Sequence, residues 1–146
     1  MARVDNSIDI QAPGEKVFAY IADLSARPQW VKWAKSVEVT SREKEGVGTT
    51  DRMVIQLALR KEHVEGVVTE YMPGRLLTHR LTKGFDLTER LSVADLANGA
   101  KVDWAVEYTP PLGLLGKVVD FLFMATLMDQ LMKDSLVDLK EELESR

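Results

Sequence analysis

His79, Glu89 and Tyr108 are the residues of this chain whose types and spacing could do chemistry. Each lies in a stretch where apolar residues alternate, so strand geometry turns it to the same face as its apolar neighbours. Turn chemistry sets the registers. Asn98-Gly99, read as a two-residue type I′ turn, pairs Ala97 with Ala100, Val93 with Trp104, Leu91 with Val106 and Glu89 with Tyr108. Thr82-Lys83-Gly84, read as a three-residue loop, pairs Leu81 with Phe85, His79 with Leu87 and Leu77 with Glu89. Glu89 is then expected directly across from Tyr108 and diagonally across from His79, within side-chain reach. A carboxylate on an apolar face must be paired, hydrated or protonated. Two arrangements meet that demand: a solvated polar cluster near a rim, or a cavity wall on which the three groups hydrogen-bond the polar end of a ligand. In an enzyme, Glu89 or His79 would serve as base and Tyr108 as donor to a carbonyl oxygen.

Other chemistries are excluded by what the chain lacks. It has no cysteine, so disulfides, thiolate metal sites and cysteine nucleophiles are absent. Its two histidines, His63 and His79, do not make a typical zinc site, and neither a metal nor a cofactor is expected. A net charge of −4 without a dense Lys/Arg cluster argues against nucleic acid as partner. The N-terminal Met1-Ala2-Arg3-Val4-Asp5 lacks a signal-peptide apolar core, and a cytoplasmic location is the default expectation. The longest apolar run, Val118 to Leu127, is cut by Asp120 and is too short to span a bilayer, so stable membrane insertion is not expected.

The elements that must position the three polar residues follow from periodicity. Val4, Ile8 and Ile10 alternate with Arg3, Asp5, Ser7 and Asp9, the pattern of a half-buried strand. Ala12-Pro13-Gly14-Glu15 breaks it and opens a short helix with Val17, Phe18 and Ile21 on its apolar face; a second short helical segment runs around Ser25 to Trp33. From Val37 onward the chain reads as strands joined at Gly46-Val47-Gly48, Arg60-Lys61, Pro73-Gly74, Lys83-Gly84 and Asn98-Gly99, connections so tight that neighbours must be antiparallel. Reading back through these turns sets Val64 and Val68 against Leu57 and Met53, with Met72 opposite Arg75, His79 beside Val68 and Leu81 beside Gly66. The inner row becomes Met53, Ile55, Leu57, Val64, Gly66, Val68, Leu77, His79, Leu81, Phe85, Leu87, Glu89, Leu91, Val93, Val102, Trp104, Val106 and Tyr108. Gly66 in that row marks a bulge or leaves room where a side chain would otherwise fill the cavity.

Pro110-Pro111 ends the strands, and Pro111 to Arg146 reads as one long helix with apolar residues at three- and four-residue steps. Val119, Phe123, Leu127 and Leu131 add a second apolar stripe to its first half, which must therefore be covered nearly all round. The order is strand, two short helices, six strands and a long helix: one α+β domain over residues 1–146 with a curved seven-stranded antiparallel sheet wrapped on its C-terminal helix.

Several stretches, in this order and spacing, carry a resemblance: Ile8-Asp9-Ile10-Gln11-Ala12-Pro13, the Trp30 and Trp33 pair, Gly46-Val47-Gly48-Thr49, Thr69-Glu70-Tyr71-Met72-Pro73-Gly74-Arg75, Asn98-Gly99-Ala100-Lys101-Val102, and Pro110-Pro111-Leu112-Gly113 leading into the helix. Over essentially its whole length the chain resembles a helix-grip protein of the START-like superfamily (SRPBCC), in its polyketide cyclase/dehydrase-like branch. The resemblance implies a cavity between sheet and helix for hydrophobic ligands such as lipids, sterols, polyketides or quinones. No residue pattern matches a defined cyclase active site, so no catalytic residue is carried over.

Three functions are weighed. The first is binding or transport of a small hydrophobic ligand, with Phe121, Met124, Met128, Leu131 and Met132 of the helix facing Met53, Leu57, Leu87, Trp104 and Val106 of the sheet, and His79, Glu89 and Tyr108 meeting the ligand's polar end. Met124, Met128 and Met132 recur at four-residue steps, a flexible ridge able to adapt to several ligands or simply to fill the core. The second is a polyketide cyclase or dehydratase using Glu89, His79 and Tyr108. The third is a protein-interaction module, with Leu112-Gly113-Leu114-Leu115-Gly116 either a docking patch or a cap on the cavity. Oligomeric state has no signature here.

Overall fold

The computed structural model describes residues 2–110 and 118–146, the first four of the latter by their place in a helix alone. Strand β1 (Ala2–Ile10) is followed by α1 (Gly14–Ala22), a 3₁₀ turn (Leu24–Ala26) and the single-turn helix α2 (Arg27–Trp30). Then come β2 (Ala34–Val39), β3 (Thr50–Leu57), β4 (Arg60–Met72), β5 (Leu76–Lys83), β6 (Leu87–Leu96), β7 (Gly99–Tyr108) and α3 (Val118–Glu144). The strands form one antiparallel sheet in the order β1-β7-β6-β5-β4-β3-β2. It is the expected α+β helix-grip arrangement, with the helices on the inner face.

Period-two alternation decides which face is inner. Every residue of the expected inner row is buried except Leu57, which is half-buried. The registers themselves differ from expectation. Across β6 and β7, Leu87 faces Tyr108, Glu89 faces Val106 and Leu91 faces Trp104, a slip of two residues. The turn is Ala97-Asn98, not Asn98-Gly99. Gly99 is needed elsewhere: it pairs with Leu96 as the first residue of β7, and a Cβ on it would lie 2.1 Å from the Ile10 carbonyl oxygen. Across β5 and β6, His79 faces Glu89 and Leu77 faces Leu91, again a slip of two.

The β3–β4 turn is Ala58-Leu59 and not Arg60-Lys61, with Ala58 at φ 54°, so Met53 faces Val64 and Leu57 faces Arg60. Leu59, in that turn, is fully exposed. Between β4 and β5, Val68 faces His79 and Gly66 faces Leu81 as expected, but a bulge between Val68 and Glu70 sets Met72 against Leu76 and not Arg75. A second irregularity falls between Glu65 and Gly66. Apart from the one-residue shifts at these β4–β5 bulges, every slip is by an even number of residues, and an even slip keeps each side chain on its face.

Helix α3 packs along β1 and α2, and Met124, Met128, Met132, Leu136, Leu139 and Leu143 form its buried stripe. Full burial of each such side chain is worth about 1.5–3 kcal/mol. Lys32 N–H of the α2–β2 connection donates to Ser135 Oγ, and Asn6 Nδ2 donates to Asp129, tying the helix to both ends of the sheet. The second apolar stripe is only partly covered. Leu127 and Leu131 are half-buried, whereas Leu122 and Phe123 face solvent at 61% and 58% exposure. The expected helical turns before Val118 and the expected docking segment Leu112 to Gly116 lie outside the described residues.

Candidate functional site

The inner face carries a chain of charged groups in its middle. Asp51, Gly66 and Leu81 form one cross-strand row, and Val68, His79, Glu89 and Val106 form the next. His79 Nε2 is 2.7 Å from Asp51 Oδ1, and its Nδ1 is 3.7 Å from Glu89 Oε1. Arg27, on the far side of Glu89, donates through Nη1 to the same Oε1. All four residues are at most 2% exposed. Buried ions cost several kcal/mol each in lost hydration, so they persist only when paired. Here Arg27 answers Glu89, and His79 stands between the two carboxylates.

Local structure explains how each group arrives. Asp23 caps the 3₁₀ turn by accepting from Ser25 N–H, and Pro28 suits the first turn of α2, so the short helix holds Arg27 and Trp30 inward. Trp30 and Trp33 pack on Trp104 at ring-centroid distances of 5.3 and 5.2 Å, which braces α2 against β7. His79 has room because residue 66 lacks a side chain: a Cβ there would sit 2.5 Å from His79 Nε2 and 2.9 Å from Asp51 Oδ1. Gly66 sits at a register irregularity, as one of its two readings had it; the room it leaves is taken by His79 and Asp51 and not by a cavity.

Tyr108 is diagonal to Glu89 and not opposite it, and Phe85 stacks on its ring at 6.5 Å. Burial pushes its phenol above the usual value, so it stays neutral and able to donate. The expectation of a solvated rim cluster fails, because His79, Glu89 and Tyr108 are each only 1% exposed.

An apolar groove opens at the end of the sheet nearest the start of α3. It has a volume of ≈ 670 Å³ and is walled by Ile55, Leu57 and Ala58 of β3 and its turn, Phe85, and Phe123, Met124 and Leu127 of α3, with Leu59, Arg60 and Glu62 also lining it. That size and lining suit a small hydrophobic molecule. Asp51 lies four residues from Ile55 along β3, about 13 Å at strand spacing.

Of the residues expected to line a pocket, Leu57 and Met124 line this groove. Met53, Leu87, Trp104, Val106, Met128 and Met132 lie deeper, among the most buried side chains of the core. His79 and Glu89 belong to the charged chain, Tyr108 stands between that chain and Phe85, and the Phe121 side chain lies outside the described residues. Arg27 and Asp51 escaped the sequence reading. Asp51 had a signal, since the Met53, Ile55, Leu57 alternation carried back by two residues turns it inward. Arg27 had none, because a four-residue helix has no period. Among the described residues no group of three or more acidic or histidine side chains is placed to hold a metal ion, and no helix is long and apolar enough to cross a membrane.

Comparison with known proteins places this geometry among relatives. A family model described as polyketide cyclase / dehydrase and lipid transport matches residues 1–144. Among solved structures, the protein TTHA0849 of Thermus thermophilus superposes with a TM-score of 0.84 at 21% identity, covering 99% of this chain and 98% of that one. A START superfamily protein of Mycobacterium smegmatis superposes with 0.76 at 17% identity, covering 98% and 97%. The Zhui aromatase/cyclase of a Streptomyces species gives 0.76 at 13% identity, covering 99% and 94%. At these identities the likeness is one of fold. Comparison with curated proteins finds no match.

Proposed function

The chain belongs to the polyketide cyclase/dehydrase and lipid transport family, and from that premise we propose that it binds or carries a small, largely apolar molecule in the groove between β3 and α3. The observation that carries this reading is the groove itself: ≈ 670 Å³ with almost wholly apolar walls, at the open end of the inner face. The ligand's body lies against Ile55, Leu57, Phe85, Met124 and Leu127. Met53, Leu87, Trp104, Val106, Met128 and Met132 form the deeper wall, where unbranched Met side chains adjust to the shape that arrives. Tyr108, Glu89 and His79 meet the polar end. A lipid, a polyketide or a quinone-like ring would all satisfy these walls.

A catalytic reading has one observation in its favour, the Asp51 carboxylate that orients His79. Against it, Glu89 Oε1 is committed to Arg27 and so is poorly placed as a base. Mass spectrometry of molecules extracted from the purified protein separates the two: a carrier returns its ligand unchanged, whereas an enzyme converts added poly-β-keto substrate.

Replacing Leu127 with Glu tests the groove. The residue is half-buried, so the new carboxylate reaches water and the fold tolerates it. Affinity for a fluorescent apolar probe is expected to fall at least about tenfold, the cost of desolvating a charge against the ligand. Unchanged probe affinity would place the ligand elsewhere.

A further inference from the structure

The apolar groove has an apolar rim, and the rim stands in water. Leu59, in the β3–β4 turn, is 100% exposed, and Leu122 and Phe123 near the start of α3 are 61% and 58% exposed. Leu59 and Phe123 line the groove from its two walls, and Leu122 adjoins Phe123 along the helix. Single exposed apolar side chains are ordinary, as are Val47, Met72, Leu96 and Val137 here, none of which lines the groove. Three large ones at one mouth mark an interaction surface. The turn that presents Leu59 is also locally unfavourable. Ala58 takes φ 54°, a left-handed conformation that a residue with a Cβ avoids.

Charge around the mouth is balanced among the described residues. Arg60 pairs with Glu62 at 2.5 Å and Lys83 with Glu65 at 3.6 Å, while exposed Lys61 and Asp86 add one charge of each sign. A strongly charged partner or an anionic surface therefore finds little to hold. The patch is also small. The groove lining and Leu122 together make about half of the roughly 20–30 residues that one side of a stable protein interface uses, so a second copy would be held poorly. A lipid layer asks for less, because its hydrocarbon moulds itself to a few protruding apolar side chains and binding scales with the apolar area buried.

We propose that Leu59, Leu122 and Phe123 dock the protein, reversibly and without help from charge, on the surface of a neutral, zwitterionic lipid layer. Docking sets the groove mouth against hydrocarbon, the phase in which an apolar ligand dissolves. The docking rests on the rim; only its use for loading or unloading a ligand rests on the groove reading.

Flotation with phosphatidylcholine vesicles, alone and with added phosphatidylglycerol, at low and high salt, tests the docking. The wild-type protein is expected to bind vesicles weakly, on the order of 10⁴ M⁻¹, the strength of a single fatty-acyl anchor. Phosphatidylglycerol or salt is expected to change this by less than about twofold. Leu59→Ser and Leu122→Gln alter exposed positions and leave the fold intact, which circular dichroism melting checks. Each is expected to weaken vesicle binding about tenfold. Leu122→Gln, outside the groove lining, is expected to keep its affinity for a fluorescent apolar probe. Absence of vesicle binding, binding that needs phosphatidylglycerol and disappears in salt, or folded variants that bind like the wild type overturns the proposal. So does a dimer in light scattering that Leu59→Ser dissolves, since the rim would then be an interface between copies. Vesicle binding by a protein that takes up no probe supports the docking and removes the groove reading; probe uptake without vesicle binding does the reverse.

Discussion

Replacing Arg27 with methionine is expected to destabilise the fold by about 3–5 kcal/mol, read as a lowered midpoint of urea denaturation. Methionine keeps an unbranched chain of similar reach, so α2 can retain its packing on Trp30 and Trp104. What it removes is the cation. Glu89 is 1% exposed and loses its one close positive partner, while His79 and Asp51 stay beside it. A buried carboxylate without compensation is among the few single changes able to consume a large part of a domain's stability. The double variant Arg27→Met, Glu89→Leu is the control. Removing both charges and filling the space with apolar atoms is expected to restore at least half of the loss, because a buried pair is itself weakly stabilising against a hydrophobic replacement. A loss below about 1 kcal/mol in the single variant would mean that water reaches Glu89 and that the cluster is no buried ion pair.

That the pair exists at all lay outside what strand patterns could reveal, and the reason is physical. Alternation specifies faces. His79, Glu89 and Tyr108 were placed inward by parity, and parity survives any slip by an even number of residues. Register is specified by turns, and there local chemistry competes with tertiary contact. Asn98-Gly99 has the strongest short-range hairpin preference in the chain, yet the close approach of the Ile10 carbonyl takes Gly99 for the strand and moves the turn back by one residue. Ala58 adopts φ 54° in the β3–β4 turn, a conformation for which its residue type gives no cue. Glu89 therefore exchanged neighbours, facing His79 directly and Tyr108 diagonally. From the residues themselves the groove was foreseen as a double apolar stripe on the helix, and from the resemblance as a cavity between helix and sheet. Its actual walls include Phe85 and Ala58, from connections whose shape no periodicity encodes.

Placing alanine at Gly66 is the second change expected to have a large effect, and it probes the same cluster from the sheet side. Gly66 is not there for an unusual φ; it is there for contact. Its Cβ would lie 2.5 Å from His79 Nε2, 2.6 Å from Cε1 and 2.9 Å from Asp51 Oδ1, all inside the distance at which something must move. His79 cannot retreat freely, because Val68 and Glu89 flank it across the neighbouring strands and the ring is 1% exposed. Overpacking alone costs about 1–3 kcal/mol. Displacing the ring also breaks its hydrogen bond to Asp51, a charged partner, for about 1.5–3 kcal/mol more. Urea denaturation of Gly66→Ala should therefore show a loss approaching that of Arg27→Met. The imidazole nitrogen resonances of His79 should shift while those of exposed His63 stay where they are. A variant of near wild-type stability with unshifted His79 signals would mean that the imidazole does not press on β4. The Asp51–His79 contact would then lose its place as the orienting element of the site, and with it the one observation that favours acid–base chemistry in this chain.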